Sequence, residues 1–249
     1  MRFPHTGHTA LAVLAVSLLS TGAASAAACS NATLTGNYGV LSSGFAIPNS
    51  PTSGLYLIIA DGNGHIQGGG VQSDAGDIQF KTLAGSYTVA KDCTGSMMLV
   101  DQLGIHADYF FVFDDKQSRF EFVRTDANFN ESGEGRTQAT VSCGLRSKKK
   151  TVYADRLRGL GTPPVDIAGQ IAVASTGKVT GQEIAVSNGA AQSLKLTGSM
   201  ALGADCTGTL QLKSGASTFN FGVNVAADGS LQLVETDTGS TVAGTATPQ

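Results

Sequence analysis

Asp92-Cys93-Thr94-Gly95 returns as Asp205-Cys206-Thr207-Gly208, 113 residues further along the chain. Without a gap, the same offset pairs Gly64 with Gly177, Gly68 with Gly181, Gly76 with Gly189 and Gln79 with Gln192. It also pairs Leu83 with Leu196, Gly85 with Gly198 and Ser86 with Ser199. Self-similarity at a fixed period constrains architecture more than any single residue can. It predicts two homologous units, 27–142 and 143–249, behind a segment of different character at 1–26. Each unit, of roughly 110 residues, is long enough to bury its own core.

The four cysteines follow the repeat. Cys29 and Cys93 are 64 residues apart, and Cys143 and Cys206 are 63 apart. Four cysteines allow three connectivities, and the duplication selects Cys29–Cys93 and Cys143–Cys206, one bridge per unit. In the chain-entropy picture, closing a loop of that length stabilises by roughly 4 kcal/mol. Zinc is a poor alternative, because such sites use closely spaced Cys pairs and none is present. No metal or other cofactor is expected.

The N-terminus predicts export. Arg2 precedes an apolar stretch from Ala10 to Leu19, followed by small residues ending in Ala24-Ser25-Ala26. That is the grammar of a signal peptide with an A-x-A cleavage site, and its apolar run is too short to span a bilayer. The expected location is periplasmic or extracellular, where disulfides persist. Ala26-Ala27-Ala28-Cys29 also resembles a lipoprotein box, which makes a lipid anchor through Cys29 the minor alternative. It lacks the usual leading Leu, and lipidation would leave Cys93 without its partner.

The chain carries a net charge of −3, or −4 once Arg2 leaves with the leader. Nucleic-acid affinity rests on Lys and Arg neutralising phosphates, so no nucleic-acid partner is expected. The one basic run, Arg146-Ser147-Lys148-Lys149-Lys150, reads as a solvated segment between the units.

Helical periodicity is missing, whereas period-two alternation is common. Phe219, Phe221, Val223 and Val225 alternate with Thr218, Asn220, Gly222 and Asn224. In unit one, strands are expected near 38–46, 53–60, 65–73, 78–90, 95–103, 105–113, 118–125 and 134–141. Asp61-Gly62-Asn63-Gly64, Asp74-Ala75-Gly76 and Asp114-Asp115-Lys116 supply turns between them. The fold class is therefore all-β, with about eight antiparallel strands per unit. A meander that closes into a small up-and-down barrel removes its edges; a β-sandwich is the alternative. Aromatics at 6% and an absence of Trp argue against an outer-membrane barrel.

Gly36-Asn37-Tyr38-Gly39, Asp61-Gly62-Asn63-Gly64-His65-Ile66, Gly85-Ser86-Tyr87-Thr88-Val89 and Asp92-Cys93-Thr94-Gly95 form a pattern of blocks. It resembles a group of exported bacterial β-rich repeat proteins of unknown function, built from G-x-Y, DG-x-G and G-x-Y-x-V blocks. The resemblance covers most of unit one and, more loosely, unit two, where Met200 stands for Tyr87. It implies an exported all-β module and no activity.

Of the four histidines, only His65 and His106 lie beyond the leader. His65 reads as an exposed residue beside a hairpin turn. His106, Asp108, Phe110 and Val112 share one face of a strand whose other face carries Ile105, Ala107, Tyr109, Phe111 and Phe113. With one deletion, their unit-two counterparts are Thr218, Asn220, Gly222 and Asn224, so a small polar face becomes a large and ionisable one. Strands apolar on both faces pack against something further, here the second unit, another subunit or a small apolar ligand. His106, Asp108, Phe110 and Val112 are accordingly the candidate ligand-binding residues. His106 and Asp108 are a poor acid–base pair, roughly 6.6 Å apart along the strand and without a partnered nucleophile. No G-x-S-x-G, H-E-x-x-H, P-loop or dinucleotide motif occurs, and Asp61–Gly64 lacks the later ligands of a calcium loop. Glu121, Arg124, Glu131, Glu134 and Arg136 read as surface ion pairs.

The function these features support is an exported, non-enzymatic structural or interaction protein with no predicted catalytic residue. The first alternative is a carrier of a small apolar ligand with its cavity in unit one. The second is a barrel-type isomerase or hydrolase using His106 and Asp108.

Overall fold

The computed structural model describes residues 28–138 and 150–249. Eight strands make the first unit: β1 (Thr35–Ala46), β2 (Ser50–Asp61), β3 (His65–Asp74), β4 (Asp77–Val89), β5 (Thr94–Asp101), β6 (His106–Phe113), β7 (Arg119–Arg124) and β8 (Phe129–Thr137). Eight more make the second: β9 (Thr151–Gly159), β10 (Val165–Val173), β11 (Lys178–Ser187), β12 (Ala190–Leu202), β13 (Thr207–Ser214), β14 (Ser217–Val225), β15 (Leu231–Glu235) and β16 (Val242–Pro248). In each unit consecutive strands pair antiparallel and the last pairs with the first, so both sheets are closed barrels. The sandwich alternative is excluded. The leader at 1–26, the boundary between 142 and 143, and Cys143 lie outside the described residues. The eighth strand starts at Phe129 rather than 134, because β1 continues to Ala46 and Ala46 pairs with Phe129.

One end of the first barrel is plugged. A 3₁₀ turn at Asn31–Thr33 lays the fully buried Leu34 beneath Tyr38 and Tyr87. The Tyr87 hydroxyl donates to the Leu34 carbonyl at 2.6 Å. The Cys29–Cys93 disulfide fastens this plug to the β4–β5 turn. Above the plug sits a cluster of Tyr38, Phe111, Phe113, Phe120 and Phe122, with the Phe111 and Phe120 ring centres 5.5 Å apart. The second barrel has a core of the same design, built on Val179, Leu196, Leu210, Val223 and Leu231. Its Cys206 is disulfide-bonded.

The barrels meet through their outer walls. Leu55 and Val71 of the first pack on Val234 and Ala243 of the second. The Asn224 amide donates to the Tyr56 carbonyl at 2.8 Å, and the Gly239 N–H to the Gly76 carbonyl at 2.8 Å. This corrects the expectation that the His106 strand packs against the other unit: the contact is made by β1–β3 and the end of β8 against β14–β16 and the β14–β15 turn. It also explains why the copies differ there. Asn224 and Gly222 lie on the outer face of β14 against the first barrel, which needs small polar side chains; their counterparts on β6 face solvent.

Candidate functional site

His106, Asp108, Phe110 and Val112 all lie on the outside of the first barrel, with Phe110 46% and Val112 41% exposed. They line no interior cavity. The face that turns inward is the opposite one, Ala107, Tyr109, Phe111 and Phe113, because Phe111 closes over Gly95 and meets Phe120 and Phe122 in the core. Period two separates the two faces of β6 but leaves open which one is inside.

At the end away from the plug, the first barrel holds a chamber of about 260 Å³. Its floor is Val40, Ile58, Met97 and Leu99, its side wall Leu83 and Phe122, and its mouth Ala46, Ser50, Ile105 and Phe129. Polar groups project into it from β2, β3, β4, β5, β7 and β8. Lys81 from β4 reaches Asp101 of β5 at 2.9 Å, both buried. Arg124 of β7 is held by Asp126 at 2.6 Å and Glu131 of β8 at 3.3 Å, and its guanidinium lies 3.4 Å from the centre of the Phe129 ring. The Tyr56 hydroxyl donates to Gln72 Oε1 at 2.8 Å, and Gln72 Nε2 donates to Asp74 Oδ1 at 2.7 Å.

Register brings these groups together. Val40, Tyr56, Gly70 and Lys81 form one row across β1–β4, and Met97, Tyr109 and Arg124 another across β5–β7. Burial, then the charge of Glu131, raises the pKa of Tyr109; burial, then Glu131 and Tyr109, raises that of Tyr56 well above the usual phenol value. Burial opposes the charge of Asp101, yet the Ile105 and Leu103 N–H groups and the Lys81 ammonium hold its pKa down. Both phenols are thus neutral donors and Asp101 an anion at neutral pH.

Two expectations change. Arg124 and Glu131 are not surface ion pairs but buried interior ones. The alternation already carried the signal, since Arg124 shares a face with Phe120 and Phe122. Lys81, Asp101, Tyr56, Gln72 and Asp74 join them inside the barrel; in the sequence Lys81 stands in step with Leu83 and Tyr87, and Asp101 with Met97 and Leu99. Glu134 and Arg136 do pair near the surface, at 2.7 Å, and Arg136 reaches Asp228 of the second barrel at 3.3 Å. His65 is exposed as expected, its Nδ1 3.0 Å from Asp61. Among the described residues no group of three metal-ligating side chains occurs, and no helix is long and apolar enough to cross a membrane.

The fold defines a protein of two tandem eight-stranded antiparallel barrels. No protein-family model matches the chain, and no curated protein matches it in sequence. Among solved structures it is similar to the isotype 1 transferrin binding protein B from serogroup B Neisseria meningitidis. The two are 9% identical with a TM-score of 0.38, the similarity covering 81% of this chain and 64% of that one. The chain thus spans less than two thirds of the length of that structure.

Proposed function

We propose that this is an exported, non-enzymatic binding protein whose first barrel holds a small amphipathic ligand. The observation that carries the reading is the chamber of about 260 Å³, with aliphatic walls below and Lys81, Arg124, Tyr56 and Gln72 above. Its volume is just under the roughly 300–1,000 Å³ of pockets for drug-sized molecules, which suits a compact metabolite with one polar end. The acidic and basic side chains that line it, Asp74, Lys81, Asp101, Arg124 and Glu131, each have a hydrogen-bonding or ionic partner. That favours holding a ligand over moving protons. Export is supported by the leader-like N-terminus and by the disulfide.

Thermal shift across a panel of small amphipathic metabolites tests it. At about a hundredfold excess over Kd, binding stabilises by roughly 2.7 kcal/mol, a readily measured rise in Tm. At least one chemical class should give that rise in the natural protein and none in Leu83→Trp, which fills the chamber. If no class shifts the melt and native mass spectrometry of protein from its source finds no bound mass, the reading fails.

A second reading, an interaction module, is favoured by the exposed apolar stripe of Phe110, Val112 and Val123 on the outer face of β6 and β7. A photo-crosslinking residue at position 110 should then give a discrete protein adduct in the native compartment that one at exposed Thr88 does not. Equal labelling at both positions would remove this reading.

A further inference from the structure

The second barrel has its own chamber, of about 500 Å³, at the end matching the first chamber. Its chemistry is the reverse. No Lys, Arg or His lines it, and its ionisable lining is Glu183 and Glu235. Register makes the reversal explicit. Leu194 occupies the place of Lys81, beside Glu183 on β11 as Lys81 is beside Gly70 on β3. The row Leu210, Phe221, Glu235 matches Met97, Tyr109, Arg124, so Glu235 stands where the first barrel has its arginine.

Asp155 lies next to Glu183 across Gly169, which pairs with both. A Cβ at position 169 would come within 2.7 Å of Glu183 Cγ, so glycine is what lets the side chain lie across the row. Asp155 and Glu183 are 6% and 4% exposed. Among the described residues the only group that meets the buried oxygens of Asp155 and Oε1 of Glu183 is the other carboxyl of the pair, through a shared proton. Buried carboxylates are stable when paired and hydrogen-bonded, and nothing on these walls supplies the cation. Burial, then Asp155, pushes the Glu183 pKa up to about 9, and burial pushes Glu235 to about 6, the behaviour of carboxyls short of a counter-charge.

We propose that the second barrel binds an organic cation: a primary ammonium group seated at Glu183 and Asp155, carrying an apolar body that fills the chamber between Leu157, Ile167, Leu194 and Phe219. An ammonium offers three N–H donors and no acceptor; at the Glu183 carboxyl that lines the chamber, with Asp155 beside it, its charge replaces the proton the two carboxyls share. A bare metal ion fits less well, since no three-ligand group exists among the described residues and most of the chamber is hydrocarbon.

The test titrates the mature ¹⁵N-labelled protein with n-octylammonium chloride at neutral pH, with octanol, octanoate and calcium chloride in parallel. Octylammonium should give saturable amide shifts centred on Glu183, Ala185, Leu194 and Phe219, with Lys81 and Arg124 unaffected. In Asp155→Asn/Glu183→Gln its Kd should weaken at least about tenfold, equivalent to roughly 1.4 kcal/mol, and octanol should bind the natural protein more weakly by a similar factor. Ala185→Trp retains the carboxyls, fills the chamber and should abolish the shifts, with circular dichroism confirming each variant's fold. No saturable shift in the second barrel up to about 1 mM overturns the proposal. So do equal affinity for octanol, unchanged affinity in the double variant, or calcium binding there in place of octylammonium. None of these outcomes bears on the first barrel, whose amides report separately.

Discussion

Asp92 and Asp205 perform the same local task in the two barrels. Asp92 Oδ1 accepts from the Thr94 backbone N–H at 3.1 Å and its hydroxyl at 2.8 Å; Asp205 accepts from Thr207 at 3.2 and 2.9 Å. These bonds close a turn in which the cysteine sits in the left-handed region, at φ 67° in Cys93 and 62° in Cys206. A side chain there is otherwise unfavourable, so the aspartate, the threonine and the disulfide together hold a conformation none would hold alone. The last residue of the motif must be glycine. A Cβ on Gly95 would stand 2.3 Å from the Phe111 ring and 2.5 Å from the Thr88 carbonyl oxygen. Gly95→Ala should therefore destabilise the first barrel by about 1–3 kcal/mol, the range for overpacking a core, read as a lower urea midpoint with unchanged slope. Phe111→Leu should not restore it, because the Thr88 carbonyl remains; full rescue would show that the ring contact alone requires glycine.

Strand rows, more than single residues, decide the chemistry of each chamber, and they produce a pH signature. Glu183 on β11 and Asp155 on β9 are neighbours only because β10 places Gly169 between them. In the unfolded chain a Glu loses its proton near 4.3; in the folded protein Glu183 keeps it to about 9. Between those values the folded state binds the extra proton, so stability falls as pH rises. The contribution is complete below about 4.3 and is lost as pH passes through the folded value. Glu235, raised to about 6, acts in the same direction over a narrower window. Ligand-free protein should thus show Tm declining from mildly acidic to alkaline pH by calorimetry, and Glu183→Gln should flatten the decline and melt higher at alkaline pH. A slope equal in the two proteins would mean that Glu183 is ionised in the folded state.

Strand count, turn positions, the closing meander and the Cys29–Cys93 bridge follow from period two and from the repeat. Which face of β6 turns inward does not, since Phe110 and Phe111 are equally apolar and the decision lies with Gly95 and Phe120 on other strands. The interior charges were half legible. Arg124 and Glu183 each stand in step with core residues, but Lys81 and Asp101 meet only through pairing that closure creates.

At the scale of the whole molecule, one wall serves both purposes. On β2, Leu55 faces the second barrel while Tyr56 faces the first chamber; on β15, Val234 faces the first barrel while Glu235 faces the second chamber. The contact is close enough that Gly76 and Gly239 meet backbone to backbone, where a Cβ on Gly76 would lie 2.3 Å from the Gly239 Cα. Val234 is fully buried in it. Burying such a side chain contributes roughly 1.5–3 kcal/mol, whereas an unpaired carboxylate in its place would cost several kcal/mol to keep out of water. Parting the barrels is then cheaper than keeping them joined, because each retains its own closed sheet and core. Val234→Asp should convert a single cooperative calorimetric transition into two, with a larger radius of gyration by small-angle scattering and both chambers intact by their separate amide shifts. Retention of one transition at unchanged radius would show that the backbone and side-chain bonds between Gly76 and Gly239, Thr137 and Ala227, and Arg136 and Asp228 suffice to join the barrels without the apolar contact.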